Sequence, residues 1–238
     1  MILLKHAALR DATLAPSKSL VFAALMLGFC LVSLQAQAGR PMLTDDATIV
    51  DQCQLESWWQ RERSGNSLWL APACQLAGVE WGLGVARTAS GEPQLYQLAA
   101  KTELKPLMAN SFGVTAQLAY QFAAGSQQHG DIQLNLALTQ SWQDDAWLLH
   151  LNAGYMQRYQ QSNDWTAGIA LQRELAANQW LFVELYREQA GRPLYQLGYL
   201  QEVLPGRLQL DASYGNRLHR QGREDFISAG AVLYFNIF

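Results

Sequence analysis

Several long segments of the chain alternate strictly between apolar and polar or small residues. Between residues 111 and 123, apolar side chains such as Val114 and Leu118 occupy every second position, and Thr115 and Gln117 lie between them. A period of two places successive side chains on opposite faces of a β-strand. The sequence therefore predicts strands with one apolar and one polar face. The same pattern recurs in three later segments, 131–142, 146–158 and 207–216.

The length and composition of these segments distinguish a membrane barrel from a soluble β-sandwich. The strands are about 10 to 13 residues long, which suits a tilted membrane crossing better than the usual soluble strand of about 5 or 6. Their polar faces carry small and amide side chains rather than the Lys and Glu of a solvated surface. Tryptophans lie near the predicted strand ends, as in the aromatic girdles of membrane barrels. Together these features predict an all-β fold, a transmembrane antiparallel up-and-down β-barrel. The tryptophans are Trp58, Trp59, Trp69, Trp81, Trp142, Trp147, Trp165 and Trp180.

We expect about twelve strands, with ten as the alternative, because an antiparallel meander that closes on itself has an even number of strands. The alternative arises at 67–88, where Pro72 and Ala77-Gly78 could lie within one bent strand. The predicted strands are 51–62, 67–76, 79–88, 94–105, 111–123, 131–142, 146–158, 165–174, 179–189, 193–203, 207–216 and 225–238.

The predicted connections differ between the two ends of the barrel. If both termini are periplasmic, most connections on that side are tight, such as Ala77-Gly78 and 204–206. Several external connections are longer and more polar, such as 124–130 and 217–224. Short periplasmic turns and longer external loops are typical of outer-membrane barrels.

The N-terminal residues have the features of a cleaved signal peptide. Basic residues precede an apolar run over 20–34, and Ala36-Gln37-Ala38 provides a small-x-small cleavage site. A transmembrane anchor is the alternative, but the apolar run of about 15 residues is shorter than the roughly 20 that a spanning helix needs. The expected organisation is a signal peptide (1–38), an N-terminal periplasmic segment or plug (39–50) and an outer-membrane β-barrel (51–238).

Two cysteines remain after removal of the signal peptide, because Cys30 lies within it. In an oxidising periplasm, Cys53 and Cys74 are expected to form a disulfide, with two free thiols as the alternative. Both cysteines fall on the same face of neighbouring predicted strands, as a cross-strand bridge requires. We expect no metal site, since two cysteines without a nearby histidine supply too few ligands.

The C-terminal strand ends on an aromatic residue. Phe238 shares a face with Tyr234, and this arrangement resembles the C-terminal signal that the barrel-assembly machinery reads in outer-membrane proteins. We therefore expect a bacterial outer-membrane location. The expected partners are the barrel-assembly machinery, outer-membrane lipids and a small-molecule solute. The net charge of −3 and the lack of a basic patch give no indication of nucleic-acid binding.

His150 is the one candidate for catalysis. It lies on the polar face of a predicted strand, and lipid A deacylases use a membrane-embedded histidine with a serine two residues further on. Here that position is Asn152, and Ser141 is only a distant candidate. The sequence contains no nucleophile elbow, zinc-protease motif or phosphate-binding loop. We therefore expect a protein that is not an enzyme and has no cofactor.

Charged residues of both signs are expected to point into the barrel. They could line a selective path or form a salt-bridged set of side chains that fills the lumen. Barrels of about eight strands are filled by side chains, whereas those of about sixteen are open, so twelve strands leave both interpretations possible. The candidate lumen-lining residues are Glu56, Glu80, Lys101, Glu103, His150, Arg158, Glu184, Glu202, Arg207 and Asp211.

Two parts of the N-terminal region resemble a known family. Arg40-Pro41, Thr44-Asp45-Asp46 and Cys53-Gln54-Leu55-Glu56, followed by Ala71-Pro72-Ala73-Cys74, are similar to the start of outer-membrane transporters of the phenol-degradation meta-pathway family. The resemblance is specific over residues 40–88. It implies an outer-membrane barrel that moves small solutes, including hydrophobic or aromatic compounds.

Three functions follow from these patterns. The first is passive or facilitated passage of small solutes through the barrel. The second is a structural or adhesive barrel with a filled lumen and working external loops. The third is a membrane-embedded lipid hydrolase that uses His150.

Overall fold

The structure is a computed structural model, which describes residues 41–88, 93–125, 129–187, 192–218 and 224–236. Residues 1–38, the predicted signal peptide, lie outside these ranges, so both the assignment and the cleavage stay predictions. No helix in the described ranges is long and apolar enough to cross a membrane. The described residues form the strands β1 (Cys53–Glu62), β2 (Gly65–Leu76), β3 (Val79–Thr88), β4 (Leu95–Lys105), β5 (Phe112–Ala123), β6 (Gly130–Trp142), β7 (Trp147–Gln157), β8 (Asp164–Ala176), β9 (Gln179–Arg187), β10 (Leu194–Leu204), β11 (Leu208–Arg217) and β12 (Phe226–Phe235).

These strands form one closed barrel. Each strand pairs antiparallel with its neighbour in sequence, and β1 pairs with β12 to close the sheet. Closure leaves no sheet edge, which satisfies the backbone hydrogen bonds that lipid cannot satisfy. The predicted all-β barrel of twelve strands is therefore confirmed, and the ten-strand alternative is wrong.

The ten-strand alternative fails at the turn between β2 and β3. Ala77 and Gly78 have φ values of 54° and 79°, so the chain reverses there in a tight two-residue turn. Positive φ at both central positions matches the twist of a β-hairpin. Pro72 interrupts only the β2–β3 ladder, where it has no register partner, while it still lies opposite Leu55 of β1.

The connections are asymmetric, as the sequence predicted. At the end of the barrel that contains the start of β1 and the end of β12, tight turns such as 77–78 and 177–178 join the strands. Most connections at the opposite end are longer, such as 158–163 and 218–225. Since outer-membrane barrels have short turns on the periplasmic side, the first end is periplasmic and the second is external.

The two faces of the barrel wall differ as the alternation requires. Outward positions carry exposed apolar side chains, for example Leu134 and Leu136 of β6, each 53% exposed. Between them, the inward Gln133 and Asn135 are buried inside the barrel. An apolar outer surface of this extent is stable in a lipid bilayer and would cause aggregation in water.

A disulfide joins the first two strands. Cys53 and Cys74 are register partners with Cα atoms 4.0 Å apart, and their sulfurs are bonded. The predicted pairing is thus present at the periplasmic end of the first hairpin.

The C-terminal strand places its apolar residues differently from the proposed assembly signal. Tyr234 and Val232 face the lumen, whereas Leu233 and Phe235 face outward. Phe238 lies outside the described residues. The role of Phe238 and Tyr234 as an assembly signal stays a prediction.

Candidate functional site

Residues 41–52 lie inside the barrel, and we call them the lumen segment. The segment crosses the lumen beside one strand after another, beginning at β10 and ending at β3 before it enters β1. It has no helix or strand, so its backbone groups need partners from the barrel wall. Inward-facing polar side chains supply those partners.

Glu184 of β9 binds the first part of the lumen segment. Its carboxylate accepts hydrogen bonds from the backbone N–H groups of Leu43, at 2.9 and 3.0 Å, and Thr44, at 2.8 Å. Gln196 of the neighbouring β10 donates its amide to the carbonyl of Pro41 at 2.8 Å. Glu184 and Gln196 are register partners, so two adjacent strands hold this end of the segment.

Asn152 of β7 pairs with the backbone of Asp45 in both directions. Its Oδ1 accepts from the Asp45 N–H at 2.7 Å, and its Nδ2 donates to the Asp45 carbonyl at 2.8 Å. Asn135 of β6 also donates to Asn152 Oδ1 at 3.0 Å and so fixes the orientation of the amide. Asn152 thus binds the segment backbone as a neighbouring strand would.

Thr139 and Thr115 continue this set of contacts around the wall. Thr139 Oγ1 accepts the N–H of Ala47 at 2.8 Å and lies 2.8 Å from His150 Nδ1. Thr115 donates its hydroxyl to the carbonyl of Asp46 at 3.1 Å. Small hydroxyl side chains therefore bring the segment close to β5 and β6.

Ionic contacts fix the centre of the lumen segment. Lys101 Nζ of β4 lies 2.7 Å from Asp45 Oδ1 and 3.0 Å from Asp46 Oδ1. Glu80 of β3 accepts the N–H of Val50 at 2.8 Å. Charge-assisted hydrogen bonds of this kind are roughly twice as strong as neutral ones.

Apolar packing adds to these polar contacts. Met42 packs in a buried cluster with Ala170, Phe182 and Leu200. Leu43 packs in a second buried cluster with three further side chains that lie close to the external end, Tyr186, Leu194 and Phe226. The segment therefore fills lumen space that would otherwise hold water.

The two carboxylates of the segment titrate differently. Burial raises the pKa of Asp45 to about 7, because the loss of solvation outweighs the attraction of Lys101. Burial also disfavours the charged form of Asp46, but Lys101 and His150 more than compensate and hold its pKa below the usual range. Two carboxylates thus share one ammonium, and Asp45 is the more readily protonated of the two.

A cavity of about 1000 Å³ lies beside the lumen segment. The segment forms one side, and β11, β12, β1 and β2 contribute to the other. The cavity reaches the periplasmic end, where Gly206, Arg207 and Asn236 line it. Its wall contains more acidic than basic residues: Asp45, Asp46, Asp51, Glu56, Glu80 and Glu202 against Lys101 and Arg207.

The candidate lumen residues fall into three groups. Those that contact the segment or its partners are Glu80, Lys101, His150 and Glu184. Glu56, Glu202 and Arg207 line the cavity, and Asp211 is buried on the inward face of β11. Glu103 lies on the inward side near the periplasmic end of β4, and Arg158 follows the external end of β7.

The surroundings of His150 indicate a structural role rather than a catalytic one. It is 2% exposed, and the neighbouring hydroxyl within hydrogen-bond distance belongs to Thr139, which also accepts the Ala47 N–H. Ser141 bonds instead to Asp145, and Asn152 binds Asp45. No cluster of three potential metal ligands occurs among the described residues.

Sequence reasoning did not identify several residues that hold the segment. In the sequence, Thr115 and Thr139 are ordinary polar positions of alternating strands, and Gln196 belongs to no motif. Their types are common on lumen faces, so no local signal marks them. The one usable indication was the polar stretch Thr44-Asp45-Asp46, which needs partners wherever it is buried.

The fold, the outward apolar band and the polar lumen define an outer-membrane β-barrel. More narrowly, the chain belongs to the family described as Uncharacterised conserved protein UCP029691, whose model matches residues 27–235. The narrower resemblance to the phenol-degradation family is not shown by this match. No curated protein sequence matches the chain.

Solved structures with the same fold are outer-membrane channels. The KdgM porin in complex with disordered oligogalacturonate has a TM-score of 0.64 and 11% identity, over 77% of this chain and 99% of that one. The COG4313 outer membrane channel from Pseudomonas putida F1 has a TM-score of 0.62 and 12% identity, over 84% and 100%. The NanC porin has a TM-score of 0.58 and 9% identity, over 77% and 100%. At such identities the similarity establishes the fold.

Proposed function

We propose that the protein is a passive outer-membrane channel for small solutes, narrowed by the lumen segment. The observation that carries this proposal is the cavity of about 1000 Å³ between the segment and the barrel wall, which reaches the periplasmic end. A barrel whose only role is structural has no need for a polar internal space of this size. Similar folds in known channels support the same role.

The charges of the cavity favour cationic or neutral solutes over anions. Acidic residues predominate in its wall, and Asp45 and Asp46 share a single Lys101. A lumen lined by one sign of charge raises the local concentration of the opposite sign. An acidic oligosaccharide such as the one bound by the KdgM porin is therefore a poor candidate here.

The solute also has an apolar part in this proposal. Met42, Ile49, Leu200 and Val232 line the same cavity as the carboxylates. Apolar walls with a few polar groups are typical of sites for small organic molecules. This supports the hydrophobic or aromatic solutes that the resemblance to the phenol-degradation family implies, in neutral or cationic form.

The decisive experiment measures single-channel conductance in planar bilayers. Wild-type protein is compared with a variant in which residues 41–47 are replaced by a Gly/Ser stretch of equal length. We expect small conductance steps for the wild type and larger ones for the variant, because the replaced residues lose their contacts with Glu184, Asn152 and Lys101. A gel shift on heating serves to confirm that both barrels are folded.

Each other outcome has a defined meaning. Folded protein that is silent in both forms overturns the channel proposal. Conductance steps of equal size in both forms would support the channel but would show that the lumen segment is not its constriction.

The filled structural barrel is the second candidate, and one observation favours it. Around the middle of β1 and β2, the inward Trp58 and Trp69 stack with ring centroids 5.2 Å apart and are both buried. Together with the Leu43 cluster, which lies closer to the external end, they fill part of the lumen. If neither the folded wild type nor the folded variant gives conductance steps, the result supports the structural barrel.

A further inference from the structure

Two arginines stand on the outward face at the external end of the barrel. Arg61 of β1 and Arg87 of β3 are both exposed, and β2 lies between them. Arg61 is level with Asn66 of β2, and Arg87 is level with Leu68. Two strand spacings separate them by roughly 10 Å around the wall. Both side chains therefore project from one patch of the outer surface, near the external ends of their strands.

The nearby carboxylates in the described ranges, Glu62 and Asp225, are engaged by other residues. Glu62 is on the inward side of β1, where it accepts from Gln60 and Ser64. Asp225 accepts from Arg63 at 2.7 Å. Within the described part of the chain, neither Arg61 nor Arg87 has an ion pair or hydrogen-bonded partner. Two guanidinium groups thus remain available to an external anion.

The surface next to the arginines is apolar. Trp59 and Leu68 are register partners on the outward face, 38% and 55% exposed, and Leu70 continues the apolar surface towards the membrane centre at 46%. A soluble anion would gain nothing from this surface. A molecule with an anionic head and acyl chains can bind both parts at once.

We propose that Arg61 and Arg87 form a binding site for the phosphate groups of a lipid in the external leaflet, and that the lipid is a phosphorylated glycolipid of the lipopolysaccharide type. Arginine binds phosphate with two parallel hydrogen bonds, which suits this role better than a point charge. A lipid with two phosphates can contact both arginines, while its acyl chains pack on Trp59 and Leu68. The site does not depend on whether the barrel conducts.

The test measures binding of purified lipopolysaccharide to detergent-solubilised protein by native mass spectrometry. The double variant R61Q/R87Q is compared with wild type and with R173Q. Arg173 is a matched control, because it is also exposed and outward but lies near the periplasmic end of β8, over the ring of Trp147. Each arginine near an anionic lipid surface is worth about fivefold in binding, so we expect a loss of roughly twentyfold or more in R61Q/R87Q and none in R173Q.

Further measurements distinguish lipopolysaccharide from other sources of phosphate, and the charge of the arginines from their hydrogen-bond geometry. Inorganic phosphate at millimolar concentration should fail to displace the lipopolysaccharide, and vesicles of phosphatidylethanolamine should fail to compete. The variant R61K/R87K should keep part of the affinity, since the charge remains but the bidentate geometry is lost. Undiminished binding by R61Q/R87Q overturns the proposal, as does an equal loss in R173Q. Displacement by inorganic phosphate alone also overturns it, because the acyl chains would then contribute nothing.

Discussion

Lys101 Nζ lies 2.7 Å from Asp45 Oδ1, and the two side chains are only 7% and 2% exposed. This contact joins β4 to the lumen segment in the middle of the barrel. The net contribution of a buried ion pair to stability is small, because both charges lose their hydration. Removing one partner is costly, however, because it leaves the other charge buried and unpaired. The pair therefore makes the position of the segment sensitive to single substitutions.

Lys101→Met should release the lumen segment while the barrel stays closed. The variant leaves the buried Asp45 and the half-buried Asp46 without this counter-ion. Breaking a buried ion pair costs about 3 to 5 kcal/mol, which is avoided if the segment leaves the lumen. We expect larger conductance steps in planar bilayers and faster proteolysis within residues 41–52. Lys105→Met is the matched control, since Lys105 is on the same strand but bonds to Phe112 and Ser111. Unchanged conductance and protection in K101M would show that the ion pair does not hold the segment.

The barrel itself could be predicted from the sequence because its signal is local. Alternation along β5 and β6 reports directly which side chains face lipid. Ala77-Gly78 left the strand count open in the sequence, and only the positive φ values of both residues identify a hairpin turn there. The pairing of Cys53 with Cys74 followed from the register of the first hairpin. Each of these features depends on residues close together in the chain or in adjacent strands.

The contacts of the lumen segment could not be predicted in the same way. The bonds from Leu43 to Glu184 and from Asp45 to Asn152 span 141 and 107 residues, and the segment has no periodic pattern. Glu184 was expected to face inward, but nothing in its neighbours indicates that it binds backbone amides. Such partners are set by the closed barrel, which brings distant strands around one segment.

Docking of the lumen segment should weaken as pH rises. The pKa of Asp45 is raised to about 7 in the docked state, whereas a solvated aspartate titrates near 3.8. The docked state therefore binds the proton of Asp45 more tightly than the undocked state does. The resulting stabilisation of the docked state is complete below pH 3.8 and is lost as the pH rises towards 7. The lowered pKa of Asp46 acts only below this window. Between pH 4 and 7, the equilibrium constant for docking should fall by up to about tenfold per pH unit. Conductance should increase over the same range as the segment leaves its docked position.

Asp45→Asn provides the control for this pH dependence. The amide cannot titrate but keeps a similar shape beside Lys101. Single-channel recordings of D45N should show a flat profile between pH 4 and 7. A profile that persists in D45N would assign the titration to another group.

Substitution of a cavity carboxylate should change ion selectivity. Glu202 lines the cavity near its periplasmic end and accepts a hydrogen bond from the Gly206 N–H of the following turn. Removing its charge in Glu202→Gln lowers the negative potential there, so the reversal potential in a salt gradient should shift towards anions. The matched control is Asp144→Asn, in an exposed turn where Asp144 bonds to Asn110. An equal shift in both variants would mean that the cavity is not the selective path.

Loss of the disulfide should destabilise the first hairpin without opening the barrel. Cys53 and Cys74 are 21 residues apart, and cross-linking a loop of that size stabilises a fold by about 3 kcal/mol in the chain-entropy model. In the double variant C53S/C74S, the barrel should therefore unfold at lower urea concentration, while its heat-dependent gel shift is kept. Reduction of the wild type should reproduce the effect, and the reducing agent should leave the variant unchanged. If variant and wild type unfold at the same urea concentration, the closed ladder of β1 with β2 and β12 is sufficient to hold the hairpin.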